Sequence, residues 1–153
     1  MSVALKPECL FRPMHADDLN VVMQIEPTIY SHPWTRGNFN DSLQAGHEAW
    51  VMLHHDKVVG YAVMMVVLDE ANLLNISVAA PYQKQGLGRL LFAHLLEHAK
   101  ALNIRNMFLE VRESNVAAIA LYNREGFKET SVRRGYYPTN EGREDAVLMG
   151  LVL

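Results

Sequence analysis

Gln83-Lys84-Gln85-Gly86-Leu87-Gly88-Arg89 is the stretch whose reading decides how this chain folds. It follows a strand-like apolar run, Leu73-Leu74-Asn75-Ile76-Ser77-Val78, and it opens a helix-like run from Leu90 to Leu102. A strand, a glycine-containing turn and a helix, in that order, make the layout of a phosphate cradle. Gly86 and Gly88 let the backbone turn tightly and approach a ligand closely. The N–H groups of the first helical turn have no partners inside the helix, so they can point at an anion. Lys84 and Arg89 bring positive charge to the same place. A surface turn that caps a helix fits the two glycines as well. The spacing is not the Gly-x-Gly-x-x-Gly of a dinucleotide site, and the loop lacks the Gly-Lys-Ser/Thr of a Walker loop.

Working outward, the pattern predicts alternating strands and helices. Leu10 to Met14 reads as a short strand. Asp17 or Asp18 can cap a helix through Leu19, Val22, Met23 and Ile25, which Pro27 and Pro33 break. Thr35 caps a second helix with Phe39 and Leu43 on one face and Gly46 as its stop. Ala49 to His54 and Val58 to Val67 form a hairpin about His55-Asp56-Lys57. Ala71 to Val78 is the strand before the glycine loop. Met107 to Val111 is the next strand, and Asn115 to Arg124 a helix that Gly126 ends. Phe127 to Tyr136 and Asp145 to Leu153 are antiparallel strands joined by Pro138-Thr139-Asn140-Glu141-Gly142. This order is that of a mixed α/β domain. Leu87, Leu91, Leu95 and Ala99 form an apolar stripe on the third helix.

Composition bounds the function. At 153 residues, half of them hydrophobic and a fifth charged, the chain is expected to fold as a single domain over residues 1–153. A net charge of −3 and no Lys/Arg-rich run argue against nucleic-acid binding. Val58 to Leu68, the longest apolar run, is too short to span a membrane, and Met1 to Pro7 does not read as a secretory signal. The single cysteine, Cys9, fits a reducing cytoplasm and reads as a structural or incidental thiol. His94 and His98 stand at i, i+4, a spacing that can bind metal. No Glu completes a His-Glu-x-x-His pattern, so solvated helix-face histidines are expected and no metal.

Two further blocks carry a resemblance. Leu109-Glu110-Val111-Arg112-Glu113-Ser114-Asn115 runs into Ala118-Ile119-Ala120-Leu121-Tyr122 and Gly126-Phe127. Arg133-Arg134-Gly135-Tyr136-Tyr137-Pro138 is followed by Gly142-Arg143-Glu144-Asp145-Ala146, and Leu68-Asp69-Glu70-Ala71 lies upstream. With the Gln-x-x-Gly-x-Gly loop, the chain resembles the GCN5-related N-acetyltransferase (GNAT) superfamily from about Arg12 to Leu151. Within it, the third block is similar to the bacterial ribosomal-protein-alanine N-acetyltransferases. Ser77 and Glu113 depart from that pattern, standing where Ala is common.

The resemblance implies a mostly antiparallel central sheet with four flanking helices, whose parallel fourth and fifth strands splay apart to hold acetyl-CoA. Ile76, Ser77 and Val78 would pair with the pantetheine arm. Lys84, Gln85, Gly86, Leu87, Gly88 and Arg89 would hold the pyrophosphate, and Asn115 would contact the cofactor or serve as an N-cap. Amine acetylation needs a neutral amine, and an α-amine with a pKa of about 8 is largely protonated in the cell. Glu110, flanked by apolar Leu109 and Val111, is the candidate base, because a carboxylate isolated from water accepts protons more readily. A solvent-facing strand position is the alternative. Tyr122, two turns after Asn115, is the candidate acid for the departing thiolate or else a core aromatic. The backbone N–H of Val78 would stabilise the oxyanion.

Tyr136 and Tyr137 would wall the peptide slot. Asp69 and Glu70 would meet a cationic peptide or lie in a solvated turn. Arg134 and Arg143 would pair with acidic neighbours such as Asp145. The implied reaction is direct transfer to the N-terminal alanine of a ribosomal protein, small-subunit protein eighteen, by a cytoplasmic monomer or weak dimer. A broader N-terminal or lysine acetyltransferase and a non-catalytic acyl-CoA sensor remain the alternatives.

Overall fold

Local chemistry sets most element boundaries in the computed structural model, which describes residues 8–153. The stretch Met1 to Pro7 lies outside the described residues. The chain runs β1 (Cys9–Pro13), α1 (Leu19–Ile29), α2 (Arg36–Gln44), β2 (Glu48–His54), β3 (Lys57–Val67), β4 (Glu70–Val78), α3 (Leu87–Ala101), β5 (Asn106–Arg112), α4 (Val116–Arg124), β6 (Lys128–Thr139) and β7 (Gly142–Val152). The strands hydrogen-bond in the order β1-β2-β3-β4-β5-β7-β6. β4 and β5 are parallel and the rest antiparallel, the mixed sheet with four helices that the sequence predicts.

The chain forms two compact units. One holds the described residues through Met64 together with Asn75–Leu95; the other holds Met65–Leu74 and Leu96–Leu153. β3, β4 and α3 each run from one unit into the other.

In the first unit, Thr35 caps α2 as expected. Its hydroxyl accepts from Asn38 N at 3.1 Å, and Asn38 Oδ1 accepts from Thr35 N at 2.9 Å. This reciprocal pair satisfies two orphan donors at the helix start. The β2–β3 turn needs only His55 and Asp56, both at positive φ, so Lys57 joins β3. Two left-handed residues match the twist of the strands they join. Phe39, Tyr61, Leu19 and Val22 are essentially inaccessible and anchor the core, with Trp34 packed on Phe39 at 4.9 Å.

Three expectations fail in this unit. Pro27 does not break α1; it lies inside the helix, which continues to Ile29. Proline already has a helical φ, so what it forfeits is the hydrogen bond to the preceding turn. Asp18 does not cap α1 through its side chain. Its carboxylate takes the Arg12 guanidinium at 2.7 and 2.8 Å and His15 N at 2.8 Å. His94 is not solvated: its ring stacks on Phe11 at 4.2 Å and meets the edge of Trp50 at 4.4 Å.

In the second unit, Gly126 ends α4 at φ 102, with Phe127 N reaching back to Tyr122 O at 2.9 Å. The parallel ladder of β4 and β5 runs from Glu70↔Asn106 to Leu73↔Leu109. Glu110, Val111 and Arg112 continue against β7. The predicted five-residue loop between β6 and β7 is corrected. Pro138 pairs with Arg143 and Thr139 with Gly142, so the strands close about Asn140 and Glu141 alone.

The β6–β7 register breaks between Arg133, opposite Ala146, and Tyr137, opposite Glu144. Four steps on β6 therefore face two on β7. Gly135 supplies the positive φ of 59 this bulge requires, and Asp145 Oδ1 accepts from its N–H at 2.9 Å. The expected pairing of Arg143 with Asp145 is replaced, since Arg143 donates to Tyr136 O at 3.5 Å.

Candidate active site

The glycine loop closes directly into α3. Leu87 is already helical, so Gly88 and Arg89 belong to the first turn and not to a loop before it. Gly86 stands just ahead at φ 80, and Leu90 N bonds to its carbonyl at 3.2 Å. A Cβ on Gly86 would meet nothing within 4 Å, which leaves the surface above the turn open. Lys84, itself at φ 62, and Gln85 are exposed. Leu87 is buried and anchors the turn from beneath, as are Leu91, Leu95 and Ala99 of the same stripe.

Ile76, Ser77 and Val78 lie at the end of β4 in the same unit as this loop. Ser77 is 4% exposed and belongs to a polar chain that sequence reasoning did not anticipate. Glu26, on α1 and 1% exposed, accepts from Tyr61 Oη at 2.7 Å, Asn75 Nδ2 at 3.2 Å and Trp34 N at 2.9 Å. Ser77 Oγ donates to Asn75 Oδ1 at 2.7 Å. Tyr30 Oη lies 2.7 Å from Ser77 Oγ and donates to Ile76 O at 3.0 Å. Burial pushes the Tyr30 and Tyr61 phenols up, and the Glu26 charge adds to both shifts. Both therefore stay protonated donors. The one available signal was Glu26 itself, a charge at helical spacing from buried Leu19 and Val22.

The second unit holds Glu110 on the wall of an open cavity of about 410 Å³, lined also by Asn72, Leu74, Phe108, Arg133 and Tyr137. Glu110 is not the isolated carboxylate that its neighbours suggest, because Arg133 Nη2 lies 3.6 Å from its Oε1. Tyr137 is pushed up to about 12, first by burial and then by the nearby Glu110 charge. Arg112 lies over the Tyr137 ring at 4.4 Å. Its guanidinium also donates to Pro138 O at 2.8 Å and Glu144 Oε1 at 3.1 Å. Ser114 Oγ donates to the same Glu144 oxygen at 3.0 Å, and these two donors hold the Glu144 carboxyl below its usual range.

Tyr136 is 45% exposed and meets Tyr137 edge-on at 5.0 Å. Tyr122 is 7% exposed and packs on Phe127 at 5.6 Å. Asn115 caps α4, its Oδ1 accepting from Ala118 N at 3.2 Å. Asp69 and Glu70 are not brought to the cavity wall where Glu110 and Tyr137 stand. Asp69 faces Arg105 at 3.9 Å on the surface, and Glu70 pairs with Asn106. The strand from Asn106 to Glu110 spans about 13 Å.

Among the described residues, no group of three or more His, Cys, Asp or Glu side chains could hold a metal ion. No helix there is long and apolar enough to cross a membrane. Burial raises the Cys9 thiol above its usual range, which lowers its thiolate fraction.

A family model for the acetyltransferase (GNAT) family matches residues 19–127, which takes in the glycine loop, β5 and α4. The chain belongs to the acetyltransferase (GNAT) family. The ribosomal protein bS18-alanine N-acetyltransferase of Escherichia coli (strain K12) is 41% identical to it over 138 residues, 90% of this chain and 93% of that protein. The Haemophilus influenzae protein of the same name is 35% identical over 141 residues, 92% and 96% of the two chains. The crystal structure of the ribosomal-protein-S18-alanine N-acetyltransferase from Escherichia coli superposes with a TM-score of 0.90 at 39% identity, covering 95% of this chain and 94% of that one. Arabidopsis thaliana NAA60 in complex with acetyl-CoA, at 21% identity and a TM-score of 0.85 over 95% and 99% of the chains, shares the fold. This GNAT chain therefore carries the fold that its three sequence blocks imply.

Proposed function

We propose that this chain transfers the acetyl group of acetyl-CoA to the N-terminal α-amine of alanine on small-subunit ribosomal protein S18, by direct attack in a ternary complex in the cytoplasm. The observation that carries the reading is Glu110, a carboxylate on the wall of an open cavity beside Tyr137, in a GNAT chain whose relatives are named for alanine N-acetylation. One domain over residues 1–153 does this work, and the passage of β3, β4 and α3 through both compact units supports that.

The loop fits a pyrophosphate. Its exposed Lys84, the open surface over Gly86 and the N-terminal turn of α3 with its exposed Arg89 are the set of groups an anion needs. In this reading Lys84, Gln85, Gly86, Leu87, Gly88 and Arg89 hold the pyrophosphate, while Ile76, Ser77, Val78 and Asn115 hold the rest of the cofactor. Bound acetyl-CoA supplies the acetyl group as a thioester. Glu110 takes the proton of the α-ammonium, directly or through one water, and frees the lone pair for attack. The Val78 N–H donates to the carbonyl oxygen as it gains charge. Tyr122 gives its phenolic proton to the sulfur as the C–S bond breaks. Tyr136 and Tyr137 orient the peptide, and Asp69 and Glu70 attract its basic residues from a distance.

The test is CoA release with two peptides. One carries the N-terminus of the organism's own protein S18; the other has that terminus blocked and an internal lysine. Turnover with the free terminus alone is expected. Turnover with the blocked peptide would assign a lysine or broad acceptor instead, and no turnover with either would leave an acyl-CoA sensor. Glu110→Gln and Tyr122→Phe should each lower kcat by roughly 10²-fold or more while acetyl-CoA still binds.

A further inference from the structure

We propose that Arg133 is a positioning residue that stops Glu110 from holding the acceptor amine as an unreactive ammonium. The inference rests on the reading of Glu110 as the base. Arg133 Nη2 stands 3.6 Å from Glu110 Oε1, and both side chains line the same cavity. The bulge between Arg133 and Tyr137, pinned by Gly135 and Asp145, brings both of those side chains to that wall.

The other charged and titratable groups around Glu110 are already engaged. On its own strand, Arg112 lies over the Tyr137 ring and is held by Glu144 and Pro138 O. From β7, Glu144 accepts from Arg112 and Ser114, and Asp145 accepts from Gly135 N. From β6, Tyr136 and Tyr137 are phenols, and Tyr137 stays neutral well beyond physiological pH. β4 contributes the uncharged Asn72.

A carboxylate by itself favours the charged form of a nearby amine. That form has no lone pair, so a lone Glu110 would bind the acceptor well and activate it poorly. A guanidinium stays charged throughout the working range and disfavours a second cation beside it. Arg133 therefore tilts the bound acceptor toward the neutral amine. A cation beside a carboxylate also favours its charged form, so Glu110 passes the proton on to solvent through the open cavity rather than keeping it. With the two side chains 54% and 32% exposed, their ion pair is weak enough for an amine to enter. The Tyr136 ring face, 5.2 Å from the Arg133 guanidinium carbon, keeps the displaced cation nearby.

The test is the pH dependence of kcat, which reports ionisations in the bound complex. Wild type, Arg133→Gln and Arg133→Lys are compared from acid to mildly alkaline pH with saturating acetyl-CoA and the S18 N-terminal peptide. For Arg133→Gln the acid limb should move up by roughly one pH unit, lowering kcat about tenfold on that limb while KM for the peptide holds or falls. At alkaline pH its kcat should approach wild type, and Arg133→Lys should restore the limb. A loss by the same factor at every pH, or a limb that does not move, would overturn the inference. Calorimetric acetyl-CoA affinity checks that the variants are folded. Glu110→Gln separates the two claims. If it is inactive while the Arg133→Gln limb stays put, only the role of Arg133 falls; if it turns over like wild type, the base assignment falls and takes this inference with it.

Discussion

The Tyr61 hydroxyl donates to Glu26 Oε1 at 2.7 Å, between side chains that are 0% and 1% exposed. A carboxylate can only accept, and the Asn75 amide and the Trp34 N–H point at it as well. Glu26→Ala strands two buried donors and the part-buried Trp34 N–H, and at roughly 1–3 kcal/mol for each buried donor left unpaired a loss of at least about 2 kcal/mol is expected. Tyr61→Phe removes one donor and leaves Glu26 with two, so it should cost about 1 kcal/mol. Urea unfolding measures both. If Glu26→Ala costs no more than Tyr61→Phe, the network is not the anchor described.

The Arg12 guanidinium hydrogen bonds hold the Asp18 carboxyl below its usual range, with His15 N assisting. A depressed pKa stabilises the fold above the unfolded value, about 3.9, and that contribution is lost as pH falls through the folded value. Asp18→Asn should therefore be less stable than wild type by about 1 kcal/mol at neutral pH, because one partner is partly exposed. The gap should close in strong acid. A gap that persists there would mean that the carboxylate charge is not its source.

Tyr137 carries the opposite sign. Its pKa is pushed up to about 12, so between the unfolded value near 10 and that figure the folded chain keeps a proton that the unfolded chain has lost. Its contribution is complete below pH about 10 and disappears as pH rises through about 12. Ultraviolet titration of the phenolates should show a step at about pH 12 that Tyr137→Phe removes, distinct from the raised Tyr30 and Tyr61 phenols, which that substitution leaves in place. Glu110→Gln should bring that titration to lower pH, because the Glu110 charge is the second cause of the shift. An unmoved titration would place the Glu110 charge elsewhere.

Gly60 packs beneath the β4 backbone. A Cβ there would stand 2.8 Å from Met52 Cε and 3.0 Å from Ser77 O. The methionine can swing away and the backbone carbonyl cannot. Gly60→Ala should cost roughly 1–3 kcal/mol as overpacking, and it should weaken acetyl-CoA binding if Ser77 lies under the pantetheine arm. A full-affinity Gly60→Ala variant would separate that carbonyl from cofactor binding.

Much of the architecture was legible because it is written in short-range chemistry. Thr35 with Asn38, Asn115 with Ala118 and the left-handed Gly126 each solve a problem within one helical turn. What misled were residues whose partners lie elsewhere in the chain. Asp18 looks like a cap but serves Arg12, and His94 looks solvent-facing but lies against Phe11 and Trp50. Pro138 looks like loop because proline cannot donate, yet what it contributes is its carbonyl, to Arg112.

The order of strands and helices, the glycine turn ahead of α3 and the family resemblance were determined by the sequence itself. Each depends on residue type at fixed local spacing. The surroundings of Glu110 were decided only by tertiary structure. Arg133 is 23 positions away in sequence and reaches Glu110 because β6 bulges at Gly135 while β7 lies between the two strands. Glu26 likewise meets Asn75 across 49 positions. A carboxylate's partners depend on which elements pack beside it, and no spacing within a single element encodes that.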